Sequence, residues 1–399
     1  MDTAESVPSW KFKVRGSELT GRIFSRKWKS ISTLRGRRRT EPRTLNVERR
    51  TLSRITSRDI ASAAGVSRTT VSFVLNGKEA AGISAETRAR VLEAASALGY
   101  VPNSAARMLV SGRSRTLGLV LAHGDLMTFD AYAPPLMFGI SRVCNARGYK
   151  LLVEAVKGRG RRNAYVDLVK SKSIDALIVL NSSAADNDLV ALIESGFPVV
   201  LIGSIGHPGE NAVRSHAVRA AERATQHLLD LGHRRIAHIA YAPMRYAGSM
   251  ERYQAFERAL QKRKLKPDPD LIADGDFSME SGYYAMREIL GRNRRFTALF
   301  AGNDTIAIGA MAALREAGLS IPKDVAIVGF DDLPIASYCQ PALTTVNTNP
   351  VIHGEQAALA AFALLEGHPV GVRTCGFPLK LVVRESCGQG RKRPPRIDI

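Results

Sequence analysis

The chain has 399 residues, 45% of them hydrophobic, enough for two or three domains with sizeable cores. A formal net charge of +20 favours a polyanionic partner such as DNA. No apolar run reaches the roughly 18–20 residues of a membrane span, and the four cysteines include no C-x-x-C pair, so a membrane anchor, a zinc ribbon and a redox dithiol are all disfavoured.

Residues 1–55 are dense in arginine and lysine, with a run at Arg37, Arg38 and Arg39, and show no lasting helical or strand period. A disordered basic extension is expected there. The N-terminus lacks the continuous apolar core of a secretory signal, so a cytoplasmic, nucleoid-associated protein is expected. Residues 389–399 repeat the basic character at Arg391, Lys392, Arg393 and Arg396.

Residues 56–101 read as three short helices. Thr56 and Asp59 open the first as a capping-box variant, and Ile60, Ala61 and Ala64 follow at helical spacing. Gly65 ends that helix and Ser67 caps the next, whose apolar face is Val71, Val74 and Leu75. Ser84 caps a third helix, with Val91, Leu92, Ala95 and Leu98 expected inward and Gly99 as its stop. Residues 102–115 read as a linker too short to be a stable helix alone.

From Leu117 strands and helices alternate. Strands are expected at Leu117–Ala122, Leu151–Ala155, Ala176–Leu180, Val199–Gly203, Ile236–Ala240, Leu271–Ala273, Ala298–Ala301, Val325–Gly329 and Leu379–Val383. Helices between them include Leu136–Arg147, Ala217–Leu231, Glu251–Arg263, Ser278–Leu290 and Ala307–Ala317. This alternation implies parallel sheets covered on both faces, and residues 116–388 suit two doubly wound lobes with a ligand cleft between them.

The most specific signal is Ile60–Gly77, I-A-S-A-A-G-V-S-R-T-T-V-S-F-V-L-N-G. A helix-turn-helix needs a small residue ending the first helix, a glycine turn, a cap, and a second helix with an exposed polar face. Ala64, Gly65, Val66 and Ser67 supply the turn, and Arg68, Thr69, Ser72 and an unexpected Phe73 form the exposed face. This run resembles the headpiece of the LacI family of lactose- and galactose-repressor type regulators. The resemblance implies that Arg68 and Thr69 read base edges, an arginine being able to bind guanine bidentately. It also implies a wider DNA-facing set of Thr56, Ser67, Thr70, Ser72, Phe73 and Asn76. Phe73 stands where the family usually has arginine; contact with a thymine methyl and core packing are both open to it. Pro102, Asn103, Ala106, Arg107 and Leu109 resemble the family hinge helix, which adds Asn103 and Arg107 to the set and makes Leu109 the candidate minor-groove wedge.

The resemblance continues to Cys387 through anchors such as F-A-G-N-D from Phe300 and D-V-A-I-V-G-F-D-D from Asp324. It implies a two-lobed core like a periplasmic sugar-binding protein, with Arg252, Asn303 and Asp331 contacting an effector. Phe277 offers an aromatic face for stacking. Ser215 and His216 replace a common aspartate–asparagine pair, and residues 125–135 depart from the family form; the resemblance implies that both regions line the pocket. The expected protein is a homodimeric repressor. Its partners are a near-palindromic double-stranded operator and a small effector, a sugar or alternatively a purine-like molecule, with no cofactor and no metal. No Walker A loop, G-x-S-x-G elbow or H-E-x-x-H helix is present, which argues against an enzyme. A free solute-binding protein would not need residues 56–110.

Overall fold

The computed structural model describes residues 55–75, 82–101, 111–121, 131–155, 164–183, 185–376 and 379–388, with residues 13–14, 17–18 and 108. Asn76, Asn103, Arg107 and Leu109 lie outside the described residues, as do the tail 389–399 and nearly all of the basic extension. Lys13–Val14 and Ser17–Glu18 pair as a short antiparallel ladder. The chain divides into two compact units, residues 1–101 and 102–399.

In the first unit, α1 (Ser57–Ala64), α2 (Arg68–Leu75) and α3 (Ala85–Ala97) surround one small core. The Asp59 carboxylate accepts from the Thr56 N–H and Oγ1, both at 2.7 Å, which tightens the first turn of α1. At the other end Gly65 takes φ +63°, and the Val66 N–H closes back on the Ala61 carbonyl at 3.0 Å. Ile60, Ala61, Ala64, Val71, Val74, Val91 and Ala95 form the core. Leu92 and Leu98, expected inward, are 49% and 37% exposed. Val91 and Ala95 already fill the single face of α3 that meets the other two helices, and one helical step turns Leu92 away by about 100°.

The second unit holds two lobes. A six-stranded parallel sheet runs β11-β5-β4-β3-β1-β2, where β1 is Thr116–Leu121, β2 Lys150–Ala155, β3 Ala176–Leu180, β4 Val199–Ile202, β5 Ala212–Arg214 and β11 Val372–Thr374. It is covered by α4 (Ala133–Ala146), α5 (Ala164–Lys170), α6 (Asn187–Glu194) and α11 (Pro350–Leu365). The second lobe's sheet runs β9-β8-β6-β7, with β6 at Ile236–Ala240, β7 Ile272–Asp274, β8 Ala298–Ala301 and β9 Ala326–Val328, again all parallel. Its helices are α7 (Ala217–Asp230), α8 (Ala247–Lys262), α9 (Met279–Gly291) and α10 (Asp304–Glu316). A separate antiparallel pair joins β10 (Thr345–Asn347) to β12 (Lys380–Val382).

Strands β1, β3, β6 and β8 are nearly unbroken apolar runs because both faces of the sheets are buried there. Each lobe has its own core, one containing Leu117, Ile178 and Phe362, the other Ile239, Leu299 and Leu314. Helices α4 and α11 meet backbone to backbone. A Cβ on Gly139 would lie 2.0 Å from the Val351 carbonyl oxygen, and one on Gly354 would lie 2.2 Å from that of Leu136. The chain crosses between lobes three times: after β5, after β10 and after β11. At the start of the first lobe, Asp175 accepts from the Ser114 N–H at 2.7 Å and the Arg115 N–H at 2.9 Å, pinning the chain that leads in from the linker. Among the described residues no helix is long and apolar enough to cross a membrane.

Candidate functional site

Helix α2 is built to present side chains. The Ser67 Oγ accepts from the Thr70 N–H at 3.1 Å and lies 2.9 Å from the Thr70 Oγ1, so both hydroxyls serve the helix start. Val71 and Val74 are buried and fix the helix against α1 and α3. Arg68 and Thr69 stand exposed at its N-terminal end, and Ser72 is half-buried. Phe73 is half-buried and lies outside the apolar cluster of the three helices. Thr56 is exposed, its hydroxyl engaged by Asp59, and that bond holds the Asp59 carboxyl below the usual carboxylate range.

In the second unit a cleft with a cavity of about 110 Å³ opens between the lobes. Arg252, Phe277, Asn303 and Asp331 all line it. The Arg252 guanidinium donates to the Gly302 carbonyl and lies 3.6 Å from the Asp331 carboxylate. It is sandwiched by aromatic faces, 4.4 Å from the Tyr241 centroid and 4.0 Å from that of Phe330, and its Nε is buried without a partner. Asn303 caps α10, its carbonyl accepting from the Ile306 N–H at 2.8 Å, which commits the oxygen and leaves the amide NH2 to the cleft.

Asp331 sits at φ +115°, its N–H donating to the Val346 carbonyl at 2.8 Å, and is 5% exposed. Its loop is stapled by Asp304. That carboxylate accepts from the Leu333 N–H at 2.8 Å and the Thr345 Oγ1 at 2.5 Å, while its own N–H donates to the Phe330 carbonyl at 2.8 Å. Burial and the neighbouring Asp331 charge push the Asp304 carboxyl well above the usual range. Phe277 (φ +73°) packs edge-on to Tyr241 and Tyr246 at 5.4 and 6.1 Å and is 3% exposed, so it backs the cleft wall more than it offers a free face.

Two family models match the chain: "Bacterial regulatory proteins, lacI family" over residues 56–103, and "Periplasmic binding protein-like domain" over residues 225–387. The HTH-type transcriptional regulator CelR of Thermobifida fusca is 33% identical over 331 residues, 82% of this chain and 96% of that one. The chain belongs to the LacI family. A second relative, the HTH-type transcriptional repressor PurR of Haemophilus influenzae, is 30% identical over 76% of this chain and 88% of that one. Among solved structures, a CelR–cellobiose complex superposes with a TM-score of 0.63 at 32% identity, covering 84% of this chain and all of that one. The lac repressor dimer bound to operator and an anti-inducer gives 0.73 at 27%, covering 84% and 99%. This LacI-family protein is thus a helix-turn-helix transcriptional regulator with a periplasmic-binding-protein-like core.

On the first-lobe wall of this LacI-family cleft the resemblance pointed to the regions 125–135 and 215–216, while Arg214 and His353 were not among the residues expected from sequence. Tyr132 donates to the His353 Nδ1 at 2.8 Å, and the His353 Nε2–H donates to the Val213 carbonyl at 3.1 Å. Burial lowers the His353 pKa and keeps the ring neutral. Arg214, at the end of β5, reaches across the cleft to Glu251 on α8 at 2.6 Å. Tyr132 falls inside the segment that departs from the family form, and Arg214 directly precedes the substituted pair Ser215 and His216; Ser215 also lines the cleft. Those two departures were the available signals.

Proposed function

We propose that this regulator is a homodimeric repressor acting in the cytoplasm, and that an uncharged polyhydroxylated ligand, a sugar, sets its operator affinity. Arg68 and Thr69 of each headpiece read base edges in one half-site. A two-fold dimer demands a two-fold operator, hence a near-palindromic site. The protein is read as a binding regulator and not as an enzyme.

The observation that supports a sugar is the charge balance of the cleft. Its lining residues include two arginines, Arg214 and Arg252, and two carboxylates, Glu251 and Asp331, beside a neutral His353. An ionised ligand would add a charge with no partner among the described lining residues, which is costly in a partly desolvated site. Guanidinium, amide and carboxylate groups converging beside Tyr241 suit hydroxyls and a sugar's C–H face. Arg252, Asn303 and Asp331 are proposed to hold it, with Phe277 supporting the wall behind. Lobe closure around the ligand would favour one of two states with different operator affinity, so ligand and DNA never need to touch.

The test is calorimetry with cellobiose, other neutral sugars, sugar acids and purines, followed by gel shifts on the protein's own upstream region. A neutral sugar should bind and alter the shift, and Asp331→Ala should abolish that response. Binding by a purine or a sugar acid alone would overturn the sugar reading.

A further inference from the structure

Of the ion pairs among the described residues, only Arg214–Glu251 joins one lobe to the other. Both partners line the cleft and are about one-third exposed, at 37% and 32%. Arg214 is the last residue of β5, and the chain crosses to the second lobe at the next residue. Its carbonyl also accepts from the Cys375 N–H at 2.7 Å, at the start of another crossing. Arg214 is therefore anchored beside two of the three strands about which the lobes must pivot.

We propose that the Arg214–Glu251 pair is an interlobe tie that holds the ligand-free cleft at a narrow range of angles. A link beside a pivot moves little when the lobes rotate, so a displacement of an ångström or two there matches a much larger swing at the far rim. A charged pair weakens steeply once it lengthens into water, and it is screened by salt because it is part-exposed. Filling the cleft removes water from around the pair and changes the balance of its attraction and desolvation, so occupancy and interlobe angle become linked without the ligand contacting either residue. The consequence for ligand response rests on the cleft being the effector site; the tie itself does not.

The experiment uses the full chain without ligand, carrying donor and acceptor dyes through unnatural amino acids at the exposed Lys172 and Lys264, one on each lobe. At low salt, Arg214→Gln and Glu251→Gln should each broaden the interlobe distance distribution, and the exchange Arg214→Glu with Glu251→Arg should narrow it again. Salt should drive the parent towards the single variants, which themselves respond far less. Distributions that match the parent in both single variants at every salt concentration overturn the tie, as does an exchange variant no narrower than either single one. A parent that ignores every sugar while Arg214→Gln still broadens the distribution counts against the sugar reading and supports the tie.

Discussion

Replacing Asp304 with alanine tests how the Asp331 loop is held. Asp304 is fully buried and accepts two hydrogen bonds, from the Leu333 N–H and the Thr345 Oγ1. A buried donor left unsatisfied costs about 1–3 kcal/mol, so losing this acceptor for both puts about 2–6 kcal/mol at stake. Burial and repulsion from Asp331 oppose the ionised form. With that offset, Asp304→Ala should cost about 2–4 kcal/mol of stability, much of it from two donors left unsatisfied in the interior. Asp304→Asn should cost under about 1.5 kcal/mol, because the amide oxygen can face the Leu333 N–H while the Thr345 hydroxyl rotates to accept from the NH2. Urea unfolding of parent and variants reads both.

The pH dependence separates the charge from the shape. A carboxyl whose folded pKa is raised binds more protons in the folded state, so its contribution falls as pH climbs from the unfolded value through the folded one. Relative to Asp304→Asn, the parent should lose stability across that window and level off above it. An alanine variant as stable as the parent would refute the staple, and a parent-minus-Asn difference that is flat with pH would refute the raised carboxyl.

Four other outcomes are expected. Arg68→Ala should cost about 1–3 kcal/mol of operator binding and relax preference at one base pair per half-site in a selection assay; equal weakening on all sequences would make Arg68 a phosphate contact. Deleting residues 1–50 should leave base preference unchanged and flatten the log–log salt slope of DNA binding by about 0.9 per lost phosphate contact. His238 is fully buried, and desolvation pushes its pKa down to about 4. Its neutral form stabilises the fold above the unfolded value near 6.5, and that stability drains as pH falls to about 4, about 3 kcal/mol in all; His238→Gln should flatten the acid limb of a denaturation series. Gly139→Ala must separate α4 from α11 at the Val351 carbonyl and should cost about 1–3 kcal/mol in thermal unfolding, far more than a change at an open surface glycine.

Local signals in the sequence carried much of this architecture. Thr56, Gly65, Ser67 and Ser84 mark helix ends where the structure has them, because capping is settled within three or four residues. The expected strands appear in place or shifted by a residue, as with Leu271–Ala273 against β7 at Ile272–Asp274, since a strand buried on both faces is a visible apolar run. In the second unit three strands went unseen: β5, β10 and β11, each three residues long. β11 lies on a sheet edge with all its residues exposed, and V-R-T carries no apolar run to find. The second-lobe side of the cleft was legible through Asn303 and Asp331, which sit in anchor motifs, and through Arg252, which the family resemblance supplied. On the first-lobe side only the two departing regions, 125–135 and 215–216, pointed to the wall; Arg214 and His353 did not, because they meet Tyr132 only once the chain crosses back into the first lobe ahead of α11, and no periodicity encodes that meeting.

The interleaving of the lobes also bears on how the chain is made. The first lobe's β1 to β5 emerge early from the ribosome, but the helix α11 that packs against α4, and the edge strand β11, follow some 130 to 160 residues later. Until residue 350 and beyond are out, the apolar face that α11 will cover, including Leu136, Ile140 and Cys144, has no partner. A nascent chain therefore carries a half-finished domain through synthesis of the entire second lobe. Chaperone demand should peak in that interval, and a chain stopped anywhere short of residue 365 should be a target for proteolysis instead of a smaller working protein.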